Sequence, residues 1–184
     1  MDGPSYSWYN TFDRMFNPIP NPDPTKHIPT LRKLLESLTS AEMGWQLNRI
    51  HLFGWGQGGS KVLELASHIS DKPLNEAQRL GSVISICGPI LPATLNSTST
   101  SSKSQSPTLV FTRLAPQSAA HTRLANDLKT RFKEVEVING EKGKGGEDMP
   151  RGRGEWEGIM RFWGNVLSKD EGWKGDGEVF EVVR

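Results

Sequence analysis

The sequence predicts an α/β fold with a mostly parallel β-sheet, and the alternation of two kinds of segment supports this prediction. Short apolar runs of strand type alternate along the 184 residues with segments whose apolar residues recur at helical spacing. This alternation is typical of strands joined by helical crossovers, which place helices on both faces of a parallel sheet. We expect residues 1–184 to form a single domain, because this length and a charged fraction of 23% suit one globular unit.

The elements are predicted from spacing and from proline. Residues 1–29 are expected to be an irregular lead-in, since five prolines fall in its second half. After it the predicted elements are a helix over 30–38, a strand over 49–53, a helix over 60–69, strands over 81–87 and 107–112, a helix over 118–132, a strand over 135–138 and a helix over 155–167.

Three segments fall outside this pattern. The Ser/Thr run at 97–106 and the stretch rich in glycine and charge at 140–154 are expected to be mobile loops. Residues 168–184 are expected to form a C-terminal tail.

Composition excludes several partners and cofactors. The net charge is +1 and basic residues alternate with acidic ones, so no nucleic-acid partner is expected. No apolar stretch approaches ~20 residues, and the N-terminus has neither a basic nor an apolar leader, so we expect no transmembrane or secretory segment. The single cysteine, Cys87, lies in an apolar run and is expected to be a reduced, buried thiol in a cytoplasmic protein. We expect neither a metal site nor a cofactor.

The stretch HLFGWGQGGSKVLELA, from His51 to Ala66, is the most informative part of the chain. An apolar strand ends in four glycines and opens into a helical pattern, an arrangement that presents a helix N-terminus to a ligand. A dinucleotide-binding fingerprint would fit Gly54, Gly56 and Gly59. It also needs a carboxylate after the next strand, and that strand ends at Cys87 without one.

Two other sites use a strand, a glycine turn and a helix. A phosphate-binding loop requires Lys before Ser or Thr, whereas Ser60 precedes Lys61 here. The nucleophile elbow, G-x-S-x-G, places a serine at the apex between small residues. Gly54 and Gly58 fit the outer positions of that motif, and Gly56 stands where the serine would be.

These residues resemble the phospholipase/carboxylesterase family, which includes the acyl-protein thioesterases. Its elbow reads roughly G-F-S-Q-G-G after a strand introduced by RI, and this chain has RIHLFGWGQGG over 49–59. The segments at 6–13, 80–92 and 107–132 resemble family segments in the same order. The resemblance implies a three-layer α/β-hydrolase-like fold and hydrolysis of acyl esters or thioesters. The matching segments begin near residue 6, so we expect the N-terminal strands of the family to be missing and an edge strand to be exposed.

The catalytic residues that the resemblance implies are not found. Gly56 has no side chain with which to attack a carbonyl carbon. The acid of the family follows the strand at 107–112, but no acidic residue occurs here before Asp127. The family's histidine lies in the loop at 140–154, which has none, since all four histidines precede it.

We therefore expect a catalytically inactive pseudoenzyme that binds an acyl ester or thioester ligand, or a protein partner, in the former cleft. The alternatives are an active hydrolase with an unorthodox nucleophile and a truncated gene model in which Met1 is internal. A thiol pair of Cys87 with His51 or His68 is conceivable, but nothing in the sequence favours it. The expected site comprises the vestigial apex Gly56 with its neighbours Trp55 and Gln57, and the binding residues Gly54, Gly58, Gly59 and Ser60.

Overall fold

The computed structural model describes residues 7–74, 79–95, 102–141 and 148–168. Within them, four parallel strands form one sheet in the order β1-β2-β3-β4, which confirms the predicted α/β fold. The strands are β1 (His51–Trp55), β2 (Ser82–Ile86), β3 (Thr108–Thr112) and β4 (Val135–Asn139). The helices are α1 (Ile28–Leu38), α2 (Gln57–Asp71), α3 (Pro92–Leu95), α4 (Ala119–Arg131) and α5 (Gly152–Ser168).

Two apolar cores lie on opposite faces of the sheet. Val83 and Val110 point to one face, where they belong to a cluster that includes residues of α1, α2 and α4. Ile84 and Phe111 belong to the cluster on the other face, together with Ile159 of α5. Because β2 and β3 are buried along their whole length, helices cover both faces, as in a three-layer α/β fold.

The strand at one end of the sheet is less covered. β1 pairs with β2 alone among the described strands, so it is an edge strand there. Phe53 and Trp55 are 40% and 54% exposed. The expected exposed edge is therefore present in the described sheet, and its effect on aggregation stays a prediction.

Three helices begin two or three residues before their predicted starts. Helix α1 begins at Ile28 because Pro29 falls in its first turn, where the missing N–H breaks no helical hydrogen bond. Helix α2 begins at Gln57 directly after the turn, and α5 begins at Gly152, inside the segment expected to be a loop. The short helix α3 was not predicted, because a single turn carries no periodicity.

The end of the Ser/Thr run at 97–106 is anchored, which corrects the expectation of a mobile loop there. Ser104 and Ser106 are buried, and the Ser104 N–H donates to the Arg131 carbonyl at 2.8 Å. The Ser106 Oγ accepts from the Leu80 N–H at 3.0 Å. Small hydroxyl side chains here satisfy buried backbone groups rather than marking a solvated loop.

Several expectations on chain organisation lie partly outside the described residues. These are the first residues of the lead-in, residues 97–101 of the Ser/Thr run, residues 142–147 of the loop before α5 and residues 169–184 of the tail. That residues 1–184 form one domain stays a prediction. In the described part of the chain, no helix combines the length and apolarity needed to cross a membrane.

Candidate functional site

A sharp turn at Gly56 joins β1 to α2 at the C-terminal edge of the sheet. Gly56 has φ 53° and ψ −122°, a backbone conformation that glycine adopts without the strain of a side chain. Its N–H donates to the Ile86 carbonyl at 2.9 Å, and its carbonyl accepts from the Ser60 N–H at 3.2 Å. The strand therefore passes directly into the helix, as the glycine pattern predicts.

Two of the neighbouring glycines are required by close packing. A Cβ atom on Gly54 would lie 2.2 Å from the Gly58 carbonyl oxygen, and one on Gly59 would lie 2.5 Å from the Ser85 Oγ. Gly58 is less constrained, since the nearest atom to its Cβ position is the Trp8 Nε1 at 3.6 Å. Because Gly54 and Gly59 have no side chain, the first turn of α2 can approach the strands closely. Both glycines therefore face protein atoms at these positions.

Gln57 fastens the lead-in to the turn. The backbone N–H of Trp8 donates to the Gln57 Oε1 at 2.9 Å, and the Gln57 Nε2 donates to the backbone carbonyl of Tyr9 at 3.2 Å. Both ends of the side-chain amide are therefore used within the protein. The sequence places Gln57 next to the apex correctly, but it does not reveal this contact with residues almost fifty positions earlier.

Two polar residues that follow the glycines in α2 are buried. Ser60 and Lys61 are 2% and 1% exposed, and among the described residues neither the Ser60 Oγ nor the Lys61 Nζ has a hydrogen-bond partner. Burial lowers the pKa of Lys61, and the carboxylates of Glu64 and Asp23 oppose this shift. Burial likewise raises the pKa of Glu64, which accepts a hydrogen bond from the Thr94 hydroxyl. Sequence reasoning missed the buried Lys61, because it follows a polar residue in a helix start.

The cysteine–histidine pairs considered from the sequence are not formed. His51 lies opposite Ser82 at the beginning of the parallel strands, with its Nδ1 2.9 Å from the Ser82 Oγ. Cys87 follows the opposite end of β2. It lies about 16 Å from Ser82 along the strand, because each strand residue advances the chain by about 3.3 Å. His68 is similarly distant from the turn, because it lies about 16 Å along α2 from Gln57 at the rise of a helix.

Arg113 directly follows β3, where the resemblance implies the catalytic acid. Its side chain is 4% exposed, and its guanidinium donates to both carboxylate oxygens of Glu155, at 2.8 and 2.9 Å. The same guanidinium donates to the backbone carbonyls of Glu141, Asp148 and Met149, at 2.5, 3.2 and 2.8 Å. A structural cation therefore connects the end of β3, the loop after β4 and the start of α5.

Glu155 is held as a carboxylate by this arrangement. The hydrogen bond from Arg113 lowers the pKa of Glu155 to about 2, and the backbone N–H groups of Arg151 and Glu141 add to the effect. The pKa of Arg113 is raised in turn, chiefly by its hydrogen bond to Glu155. The Glu155 carboxylate is thus engaged with the Arg113 guanidinium and with two backbone N–H groups.

His121, one of the four histidines that precede the loop at 140–154, lies near the C-terminal edge of the sheet. Its Nε2 is 3.1 Å from the Asn139 Oδ1 at the end of β4, and the Asn139 Nδ2 donates to the Leu114 carbonyl at 2.8 Å. His121 does not line the cavity described next, although its neighbour Ala120 does.

A cavity of about 530 Å³ opens at the C-terminal ends of β2 and β3, between α3 and α4. Its volume falls in the range of small-molecule sites, which is roughly 300–1,000 Å³. Gly88 in its wall adjoins the turn, since a Cβ atom there would lie 2.6 Å from the Gly56 carbonyl oxygen. Most of its lining is apolar and includes Ile90, Leu91, Leu95, Val110, Phe111, Leu114 and Leu124.

Cys87 also lines this cavity, which corrects the expectation of a buried thiol. It is half-buried, has φ 53°, and its Sγ lies 3.6 Å from the Asp148 carbonyl oxygen. The apolar run that contains Cys87 predicted burial, but the strand ends one residue earlier and the chain turns there. Across the described ranges, no three side chains of His, Cys, Asp or Glu are grouped as metal ligands.

Comparison with known proteins relates this chain to a hydrolase. It is 29% identical over 184 residues to an uncharacterized hydrolase of Mycosarcoma maydis, and the match covers 99% of this chain. The similarity supports a hydrolase-like family. The chain spans 66% of the length of that relative. No family model matches the chain.

Proposed function

We propose that this protein is an α/β-hydrolase-like domain of the carboxylesterase and acyl-protein thioesterase type, which binds an acyl ligand without hydrolysing it. One observation carries the proposal: the apex of the strand–turn–helix is Gly56, and an apolar cavity of about 530 Å³ adjoins it through Gly88. These two features support a hydrolase-like site that keeps space for a ligand and lacks a nucleophile at its apex.

The surroundings of the turn also argue against catalysis. A hydroxyl nucleophile needs a base to take its proton, and that base needs a carboxylate to orient it. After β3 the chain supplies Arg113 instead of an acid, and this arginine engages the Glu155 carboxylate. Ser60, the hydroxyl nearest the apex in sequence, is 2% exposed and is not accessible to a substrate.

An acyl chain fits the chemistry of the cavity. Aliphatic side chains such as Ile90, Leu91 and Leu124 line it, and each methylene that leaves water for such a site contributes about 0.8 kcal/mol. The wall of the cavity at Gly88 adjoins the apex, where the carbonyl group of an ester or thioester would lie in an active relative of this fold.

The binding test uses a tryptophan that replaces a small residue in the lining of the cavity. Ala120 is exposed and lines the cavity, whereas the adjacent Ala119 is exposed but does not line it. We expect the methyl ester of pyrenedodecanoic acid, titrated by fluorescence, to bind the wild type and Ala119→Trp equally. Ala120→Trp should weaken binding at least tenfold. Equal binding by the two variants, or no binding to the wild type, would contradict the proposal.

The catalytic test uses Gly56→Ser, with Ser60→Ala as the control. Neither the wild type nor Gly56→Ser is expected to hydrolyse short-chain p-nitrophenyl esters or a palmitoyl thioester. The substitution would restore the nucleophile but neither the base nor the acid of the triad. A side chain at the strained φ of Gly56 should also cost about 1–3 kcal/mol of stability. Turnover gained by Gly56→Ser, or wild-type turnover lost in Ser60→Ala, would refute the pseudoenzyme interpretation.

The alternative is a hydrolase with an unorthodox nucleophile, and one observation favours Cys87 for that role. Cys87 lines the cavity at a sharp backbone turn directly after β2. Wild-type turnover that survives in Ser60→Ala and disappears in Cys87→Ala would support this alternative.

A further inference from the structure

The cavity changes from apolar to charged between its interior and its mouth. Val110 and Phe111 in the interior are buried, while the charged residues among its lining are Arg123 and Asp127 on α4. The side chain of Arg123 is 80% exposed and that of Asp127 is 28% exposed, and the Arg123 Nε lies 3.8 Å from the Asp127 Oδ2. An amphiphilic ligand would therefore place its chain inside and its head beside this pair.

The paired charges disfavour a charged head. A carboxylate head would be attracted by Arg123 but repelled by Asp127. A cationic head would be attracted by Asp127 but repelled by Arg123. Asp127 is the less exposed of the two, so water and salt screen its repulsion of a carboxylate less than they screen the attraction of Arg123. An uncharged hydroxyl can donate to the aspartate and accept from the arginine, and it is not repelled by either.

We propose that the cavity selects single-chain acyl compounds with an uncharged, hydroxyl-bearing head, the chemistry of a monoacylglycerol, over free fatty acids of the same chain length. This selectivity rests on the acyl-binding function proposed above and assigns Arg123 and Asp127 as the residues that determine it. The chain is held by the apolar interior, and the pair at the mouth reads the charge of the head.

The test compares two ligands that differ in the head alone. Monolauroylglycerol and dodecanoate are titrated calorimetrically below their aggregation concentrations at neutral pH, with wild type and with Asp127→Asn. We expect the wild type to bind monolauroylglycerol about three- to tenfold more tightly. Asp127→Asn should strengthen dodecanoate binding about three- to fivefold and change monolauroylglycerol binding less than twofold. Glu157→Gln on the exposed surface of α5 removes the same charge away from the cavity and should change neither affinity.

The outcomes separate this selectivity from the function on which it rests. If both ligands bind but dodecanoate binds at least as tightly, or if Asp127→Asn leaves the affinity ratio unchanged, the selectivity is wrong while acyl binding stands. If neither ligand binds the wild type, acyl binding and the selectivity are both refuted. Loss of both ligands in Ala120→Trp, with the ratio altered by Asp127→Asn, supports the proposal.

Discussion

Replacing Arg113 with methionine would remove the cation that connects three parts of the chain. Its five hydrogen bonds reach Glu155 and the carbonyls of Glu141, Asp148 and Met149. Removing one partner of a buried ion pair costs about 3–5 kcal/mol, because the other charge is left without compensation. The Glu155 side chain is 12% exposed and keeps two backbone N–H donors, so we expect a loss near the lower end, about 3 kcal/mol.

The loss can be measured by urea denaturation and by thermal melting of the full chain. For a domain of this size a loss of about 3 kcal/mol corresponds to a Tm about 6–12 °C lower. A double-mutant cycle with Glu155→Leu isolates the pair, and the double variant should be more stable than Arg113→Met alone. A loss under about 1 kcal/mol in Arg113→Met, with the urea m-value unchanged, would refute the reasoning.

The same pair predicts how stability depends on pH. The pKa of Glu155 falls from its ordinary 4.5 to about 2 on folding, so the unfolded chain binds the proton more readily. Its contribution to stability is therefore complete above pH 4.5 and is lost as the pH falls towards 2. The stability difference between wild type and Glu155→Gln should narrow over that interval in urea titrations at successive pH values. A constant difference from pH 6 to pH 2.5 would show that the pair does not hold this carboxylate.

Three further predictions concern packing, burial and the sheet edge. Gly54→Ala should lower the urea midpoint strongly, because its Cβ would lie 2.2 Å from the Gly58 carbonyl oxygen. In the control Gly164→Ala, the added methyl group in α5 meets open space and should raise stability by up to about 1 kcal/mol. Lys61→Met should stabilise the protein by roughly 1–2 kcal/mol in the same assay, because it removes a buried amine that lacks a hydrogen-bond partner among the described residues; destabilisation would contradict this. Trp55→Lys places a charge on the exposed edge strand and should slow aggregation in light scattering, and faster aggregation would oppose the edge interpretation.

The sequence by itself determined the features that depend on local patterning. Continuous apolar runs predicted the buried strands β2 and β3, since a strand covered on both faces carries few polar residues. The glycines around Gly56 predicted the strand–turn–helix, because a positive φ and close helix packing both require residues without a side chain. The vacant apex could also be read directly, as it depends on the identity of one residue in a short motif.

The tertiary structure alone decided which distant residues meet. Arg113 and Glu155 are 42 positions apart, and no local pattern pairs one arginine with one glutamate over that separation. The cavity arises where the ends of two strands and the helices after them leave space, so its existence and its mouth at Arg123 and Asp127 follow from packing. Lys61 is buried for the same reason: its helix face meets the rest of the fold, although its residue type favours solvent.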